Sequence, residues 1–143
     1  MIRNIAFDLG GVVLALSYEQ AVKRFDEIGL KDARQRLDAF EQKGIFGELE
    51  SGQITAEDFR RELSVLVGRT LTMDECYWAW HGYVDHVPKR NLEAILSLRA
   101  RGYKVCLLSN TNPFRITGSV LMIIFQDRKS INGNVNETSN ELQ

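Results

Sequence analysis

The chain is poor in residues that staple, kink or chelate. It has two cysteines and two prolines in 143 residues. Cys76 and Cys106 show no metal-ligand spacing, and a disulfide is not expected in a reducing compartment. Histidine is as scarce: His81 and His86 lie five apart in an aromatic-rich stretch with no evident third ligand, so structural roles are expected for both. An excess of charge of either sign is missing too. The formal net charge is -1 at pH 7, which removes the bulk electrostatic argument for nucleic-acid or polyanion binding. No basic leader precedes an apolar secretory stretch, and no apolar run approaches the ~20 residues needed to cross a bilayer. These absences predict a soluble, cytoplasmic chain with neither a nucleic-acid nor a membrane partner.

What is present is an ordinary globular balance, 44% apolar and 26% charged residues. A chain of 143 residues makes one domain, or one core with a modest insertion. The most informative stretch is Phe7-Asp8-Leu9-Gly10-Gly11-Val12-Val13. Ile5, Ala6 and Phe7 read as the end of a short buried strand, Ile2 to Leu9. Asp8 falls where it runs out, and two glycines follow. A carboxylate at a strand's C-terminal edge, beside backbone without Cβ, is open to close approach by a phosphate or a metal. An Asp that merely starts a turn gives the same local pattern.

The rest of the chain is mostly helical in pattern. Tyr18 to Ile28 has Ala21, Val22, Phe25 and Ile28 at helical spacing, with Gly29 as the stop. Lys31 to Lys43 reads as a second helix, with Ala33, Leu37 and Phe40 on one face and Gly44 as its stop. Phe46 to Gly52 reads as a short helical turn and loop. Thr55-Ala56-Glu57-Asp58 is a capping box that opens a further helix, closed by Gly68. Thr72 caps another, with Glu75 at its third position. Its stripe Tyr77, Trp78 and Trp80 is expected to be core rather than a ligand box. Pro88 opens a helix that runs to Gly102. Tyr103 to Leu108 is a second buried strand, in which Cys106 acts as a small hydrophobe.

The last helix and strand complete a crossover to a parallel partner. Residues 17–87 hold too many helices for one crossover and read as an inserted helical cap. Residues 1–16 and 88–125 are then an incomplete α/β core, including a third strand over Val120 to Phe125. The segment 126–143 lacks aromatic residues and reads as a disordered tail. The second strand also ends in polar residues, Ser109-Asn110-Thr111-Asn112-Pro113. Parallel strands present their C-terminal ends on one sheet edge, so Asp8 and Ser109 should meet there. A hydroxyl and adjacent backbone N–H groups are suitable donors for phosphate oxygens.

Ile5-Ala6-Phe7-Asp8-Leu9-Gly10-Gly11-Val12, then Leu107-Leu108-Ser109-Asn110, with a helical insertion between them, resemble the haloacid dehalogenase superfamily of hydrolases. Phe46 to Phe59 resembles the caps of its phosphatase-like branch. The resemblance covers about residues 1–114. It implies a Rossmann-like parallel sheet with an inserted α-helical cap, and Mg²⁺-dependent hydrolysis of a small phosphorylated metabolite. Asp8 would be the nucleophile and a Mg²⁺ ligand, and the Gly10 backbone carbonyl a second ligand. Ser109 and Asn110 would hold the phosphoryl group, and Gly11 would line its pocket. Haloacid dehalogenation through the same Asp ranks lower. Cap residues near Gly44 to Gly47 are candidates for selecting the substrate.

Two departures qualify the activity. Gly10 stands where the family usually has its second Asp, the general acid and base, and such help is typically worth ~10²–10⁴-fold. The family's third motif, a Lys or Arg, and its fourth, an acidic pair, have no counterpart. Arg128, Lys129 and Asp127 are weak substitutes in polar sequence. The change of character after Phe114 suggests a truncated or frame-shifted product, which leaves a catalytically incomplete remnant as the alternative. A sheet cut short would also leave an edge unpaired and open to self-association.

Overall fold

The computed structural model describes residues 2–39, 41–109 and 112–114. Strand β1 (Asn4–Asp8) pairs in parallel with β2 (Lys104–Leu108), in a register that runs from Asn4 opposite Lys104 to Asp8 opposite Leu108. Between them lie α1 (Tyr18–Glu27), α2 (Ala33–Arg36), α3 (Ile45–Glu50), α4 (Ala56–Val67), α5 (Met73–Trp80), a 3₁₀ turn (His81–Tyr83) and α6 (Lys89–Ala100). Among the described residues no helix is long and apolar enough to cross a membrane.

The helix starts follow from local side-chain chemistry. The Ser17 hydroxyl accepts from the Gln20 N–H at the start of α1. Thr55 with Asp58, and Thr72 with Glu75, form reciprocal capping boxes at α4 and α5, each satisfying two otherwise orphaned N–H groups. Gly68 ends α4 at φ +73°, a left-handed conformation that a residue with a Cβ rarely adopts.

Two expectations are corrected. The helix read over Lys31 to Lys43 is a single turn, α2, because Leu37 turns to extended backbone (φ -85°, ψ 149°). Leu37 buries its side chain there. The segment beyond it is held by polar groups that compete with a helix. The Asp38 carboxylate accepts from the Glu41 N–H, and the Asp38 carbonyl accepts from both the Tyr83 hydroxyl and the Gln42 amide. Phe40, placed on that helix's inner face, lies outside the described residues, as do Val120 to Phe125 and 126–143.

Secondly, the strands are half-buried rather than buried. Ile5 and Phe7, like Val105 and Leu107, alternate with exposed positions that include Cys106 and Leu108. One face packs on α6 and the chain after β1, where Leu9, Val13, Leu14 and Ile95 are buried. The other face has no comparable layer among the described residues, so period-2 alternation replaces a continuously buried pattern.

The larger core lies in the helices between the strands. Phe25, Phe46, Phe59 and Trp80 meet mostly edge to face, with ring centroids 5.3–5.8 Å apart. The stripe on α5 divides its duties. Trp80 is core, Tyr77 packs on Phe114 at 4.8 Å, and the half-exposed Trp78 lies under the Arg24 guanidinium at 5.1 Å. The two clusters are joined by paired linkers. Ser17 N–H donates to the Tyr83 carbonyl, Asp85 N–H to Ala15, and Ala15 N–H to His86, at 2.8–2.9 Å.

Phe59→Ala should cost about 3–5 kcal/mol, measured by urea unfolding, because it opens a cavity among Phe46, Trp80 and Phe114. A second prediction concerns acid. The Arg60 guanidinium holds Glu57, and the Arg69 guanidinium holds Glu75, at a pKa of about 2 against an ordinary 4.5. Both carboxyls therefore bind fewer protons folded than unfolded. Their stabilisation is full above about pH 4.5 and lost as pH falls towards 2, modestly because the pairs are solvated. Thermal melts across that window should show the decline, and Arg69→Met should remove the part of it due to Glu75.

Candidate active site

Asp8 is the last residue of β1, and its register partner Leu108 is the last of β2. Ser109 follows immediately, so the parallel ladder brings the carboxylate and the hydroxyl to one edge of the sheet. Both residues are exposed. The Leu9 N–H closes the ladder by donating to the Leu108 carbonyl at 3.0 Å and is shared with Asp8 Oδ1, also at 3.0 Å. That shared donor orients one carboxylate oxygen.

The chain beyond Asp8 curls into a tight loop. Val13 and Leu14 N–H groups both donate to the Leu9 carbonyl, at 3.1 and 2.8 Å, and the Gly11 N–H donates to Leu14 at 2.9 Å. Leu9, Val13 and Leu14 bury their side chains beneath, which leaves Gly10 and Gly11 exposed at the edge. Gly11 has φ +76°, so a Cβ there is disfavoured by conformation although nothing lies within 4 Å of it. Gly10 differs: a Cβ would meet only Leu16 at 3.6 Å, an ordinary contact. The missing side chain at position 10 is therefore not demanded by the backbone.

The Gly11 amide is already committed to Leu14, so Gly11 offers an anion an open surface rather than a free donor. The Gly10 carbonyl takes no part in that bridge. Asn110 lies outside the described residues, as do Asp127, Arg128 and Lys129. Among the described residues no three His, Cys, Asp or Glu side chains gather as a metal cluster. Asp8 is the carboxylate that the ladder places at this edge.

Other reactive groups point elsewhere. Burial pushes the Cys76 thiol up to about 11, which leaves little thiolate to act as a nucleophile. Burial, helped by the neighbouring Arg24 charge, lowers the pKa of His81. A cavity of about 590 Å³ between α2, α3 and α4 is lined by Arg36, Lys43, Gly44, Phe46 and Leu66. Neither Asp8 nor Ser109 lines it.

Sequence reading missed two residues. Asn91, in the first turn of α6, donates its side-chain amide to the Val12 carbonyl at 2.8 Å and to Val13 at 3.4 Å. A polar residue just after Pro88 was its only trace. Phe114 is buried in the helical core against Phe59 and Tyr77. The Asn112 side chain accepts from the Phe114 N–H at 3.0 Å and fixes that turn. Phe114 is thereby anchored to α4 and α5.

No family model matches the chain. Over 114 residues, 80% of its length, it is 51% identical to a D-ribitol-5-phosphate phosphatase of Bacteroides thetaiotaomicron, of which that match covers 55%. The chain thus spans about half the length of this curated relative. A solved HAD-like family hydrolase from Porphyromonas gingivalis superposes with a TM-score of 0.67 at 45% identity, covering 80% of this chain and 54% of that one. A HAD family enzyme of B. thetaiotaomicron, solved with magnesium and inorganic phosphate, superposes with a TM-score of 0.66 at 33% identity, covering 80% and 56%.

Because both edge side chains are exposed, Asp8→Asn and Ser109→Ala should each leave stability within about 0.5 kcal/mol, read by thermal and urea unfolding.

Proposed function

This chain belongs to the haloacid dehalogenase superfamily, and we propose that it carries the nucleophile of a Mg²⁺-dependent phosphatase acting on a small phosphorylated metabolite. A sugar or polyol phosphate is the substrate class, and a pentitol 5-phosphate is the first compound to try, by analogy with the curated relative. The observation that supports the reading is the register that sets Asp8 opposite Leu108, the residue before Ser109.

The chemistry follows from those groups. The Asp8 carboxylate attacks phosphorus, a P–O bond forms to the carboxylate, and the bond to the leaving alkoxide breaks. Water then attacks the aspartyl-phosphate, which releases inorganic phosphate and restores Asp8. The Ser109 hydroxyl donates to a phosphoryl oxygen, and the exposed Gly10-Gly11 backbone allows close approach. Gly10 holds no proton to give, so the leaving group takes its proton from another donor, in the cap or on the substrate.

The donor set suits a hard cation. Asp8 offers an exposed carboxylate and Gly10 a carbonyl outside the loop's bridge, both oxygen ligands, and Mg²⁺ commonly pairs one or two carboxylates with waters and substrate phosphate. When bound, Mg²⁺ supplies neutralisation of phosphoryl charge.

A second reading is an anion- or partner-binding domain without turnover. It is favoured by Asp8 standing without an acidic cluster among the described residues. Self-association through the sheet belongs to the same question, since Ile2 and Leu108 are 74% and 63% exposed there.

Hydrolysis of an aryl phosphate with and without Mg²⁺ tests the phosphatase reading. Mg²⁺-dependent turnover that falls by roughly 10³-fold or more in Asp8→Asn is the expected result. A folded protein without such turnover would overturn it in favour of the second reading.

A further inference from the structure

We propose that Asn91 is a positioning residue for the Asp8 edge, holding the loop of residues 9–14 in the shape that exposes Gly10 and Gly11. Its consequence for ligand binding rests on the phosphatase reading, whereas its hold on the loop does not.

The loop is bracketed from three sides. At its start the Leu9 N–H is tied to β2 through the Leu108 carbonyl. At its end the chain passes into the linker, where the Ala15 N–H donates to the His86 carbonyl at 2.8 Å. Its middle has a half-exposed Val12, and there the tie is a side chain from 79 residues away, the Asn91 amide on the Val12 carbonyl. The same nitrogen reaches the Val13 carbonyl at 3.4 Å, so one planar donor spans two successive peptide units.

Asn91 is itself well placed to act as a fixed point. Its N–H donates to the Pro88 carbonyl at 2.9 Å, which closes the first turn of α6. Asn91 stands three residues after Pro88, in the first turn of α6, the helix whose Ile95 packs on the sheet side. A donor there holds the middle of the loop to α6. Only a side chain that donates from this distance can do so: leucine has the bulk without the N–H, and aspartate has the shape with only acceptors.

Hydrogen exchange of the full chain tests the proposal, with Asn91→Leu, Asn91→Asp and Asn91→Gln as variants. In the Leu and Asp variants the Gly11, Val13 and Leu14 amides should exchange ~5–10-fold faster, while β-ladder and α4–α5 amides keep their rates. Gln, which retains the amide donor, should recover part of the protection. Unchanged loop rates would overturn the proposal, and so would uniform acceleration throughout the chain, which reports only lost stability. Titration with Mg²⁺ alone, by calorimetry, supplies the second readout, with weakening of ~5–10-fold expected in the Leu and Asp variants. Equal affinity in wild type and variants would overturn the link to the site. If wild type binds no Mg²⁺ while the loop amides respond, the phosphatase reading falls and the hold of Asn91 on the loop stands.

Discussion

The parallel pairing of β1 with β2 makes the candidate site, because Asp8 and Ser109 come from opposite ends of the described chain. Each contributes one polar group to an edge that neither strand has alone. The ladder is short, running from Asn4–Lys104 to Asp8–Leu108, and a two-stranded sheet is marginal without something packed on it. Here the support is α6 with the loop after β1, whose buried Leu9, Val13, Leu14 and Ile95 cover one face. The same loop presents Gly10 and Gly11 at the edge. Packing of the sheet and presentation of the site are therefore one arrangement.

The helices between the strands form a second, larger packing unit with its own reason to fold. Its aromatic rings close on each other at centroid distances near those favoured by the ring quadrupole, with Trp80 touching Phe25, Phe46, Phe59 and Tyr83. Two features couple it to the sheet. One is the pair of linkers hydrogen-bonded between Ala15–Ser17 and Tyr83–His86. The other is Phe114, which follows Ser109 closely in sequence and buries itself in the helical cluster. Tyr83 adds to the first: its hydroxyl donates to the Asp38 carbonyl and accepts from the buried Gln42, so the linker also organises the chain after α2.

Much of this was legible from residues alone where the controlling interaction is local. The capping boxes at Thr55 and Thr72 and the stops at Gly29, Gly68 and Gly102 formed as read, since each is decided within four or five residues, whereas Gly44, expected to stop a helix, precedes α3 instead. Asp8 at a strand end beside two glycines was readable for the same reason. What failed depended on distant partners. The Lys31 to Lys43 helix was lost to Leu37, Gln42 and Tyr83. The strands were read as buried, but apolar content cannot report whether a second layer covers the other face. Asn91 and Phe114 escaped notice because an amide or a ring acquires its role only from what it meets.

The amino-acid order by itself determined the element types, their caps, and which two polar strand ends were candidates for chemistry, because backbone hydrogen bonding and side-chain periodicity act over a few residues. Tertiary structure decided the register that seats Asp8 opposite Leu108, the early end of α2, the half-buried sheet, and the clasp of Asn91 on the loop. These are contacts between segments tens of residues apart. Their outcome is set by which side chains fill shared space, and no local pattern encodes that.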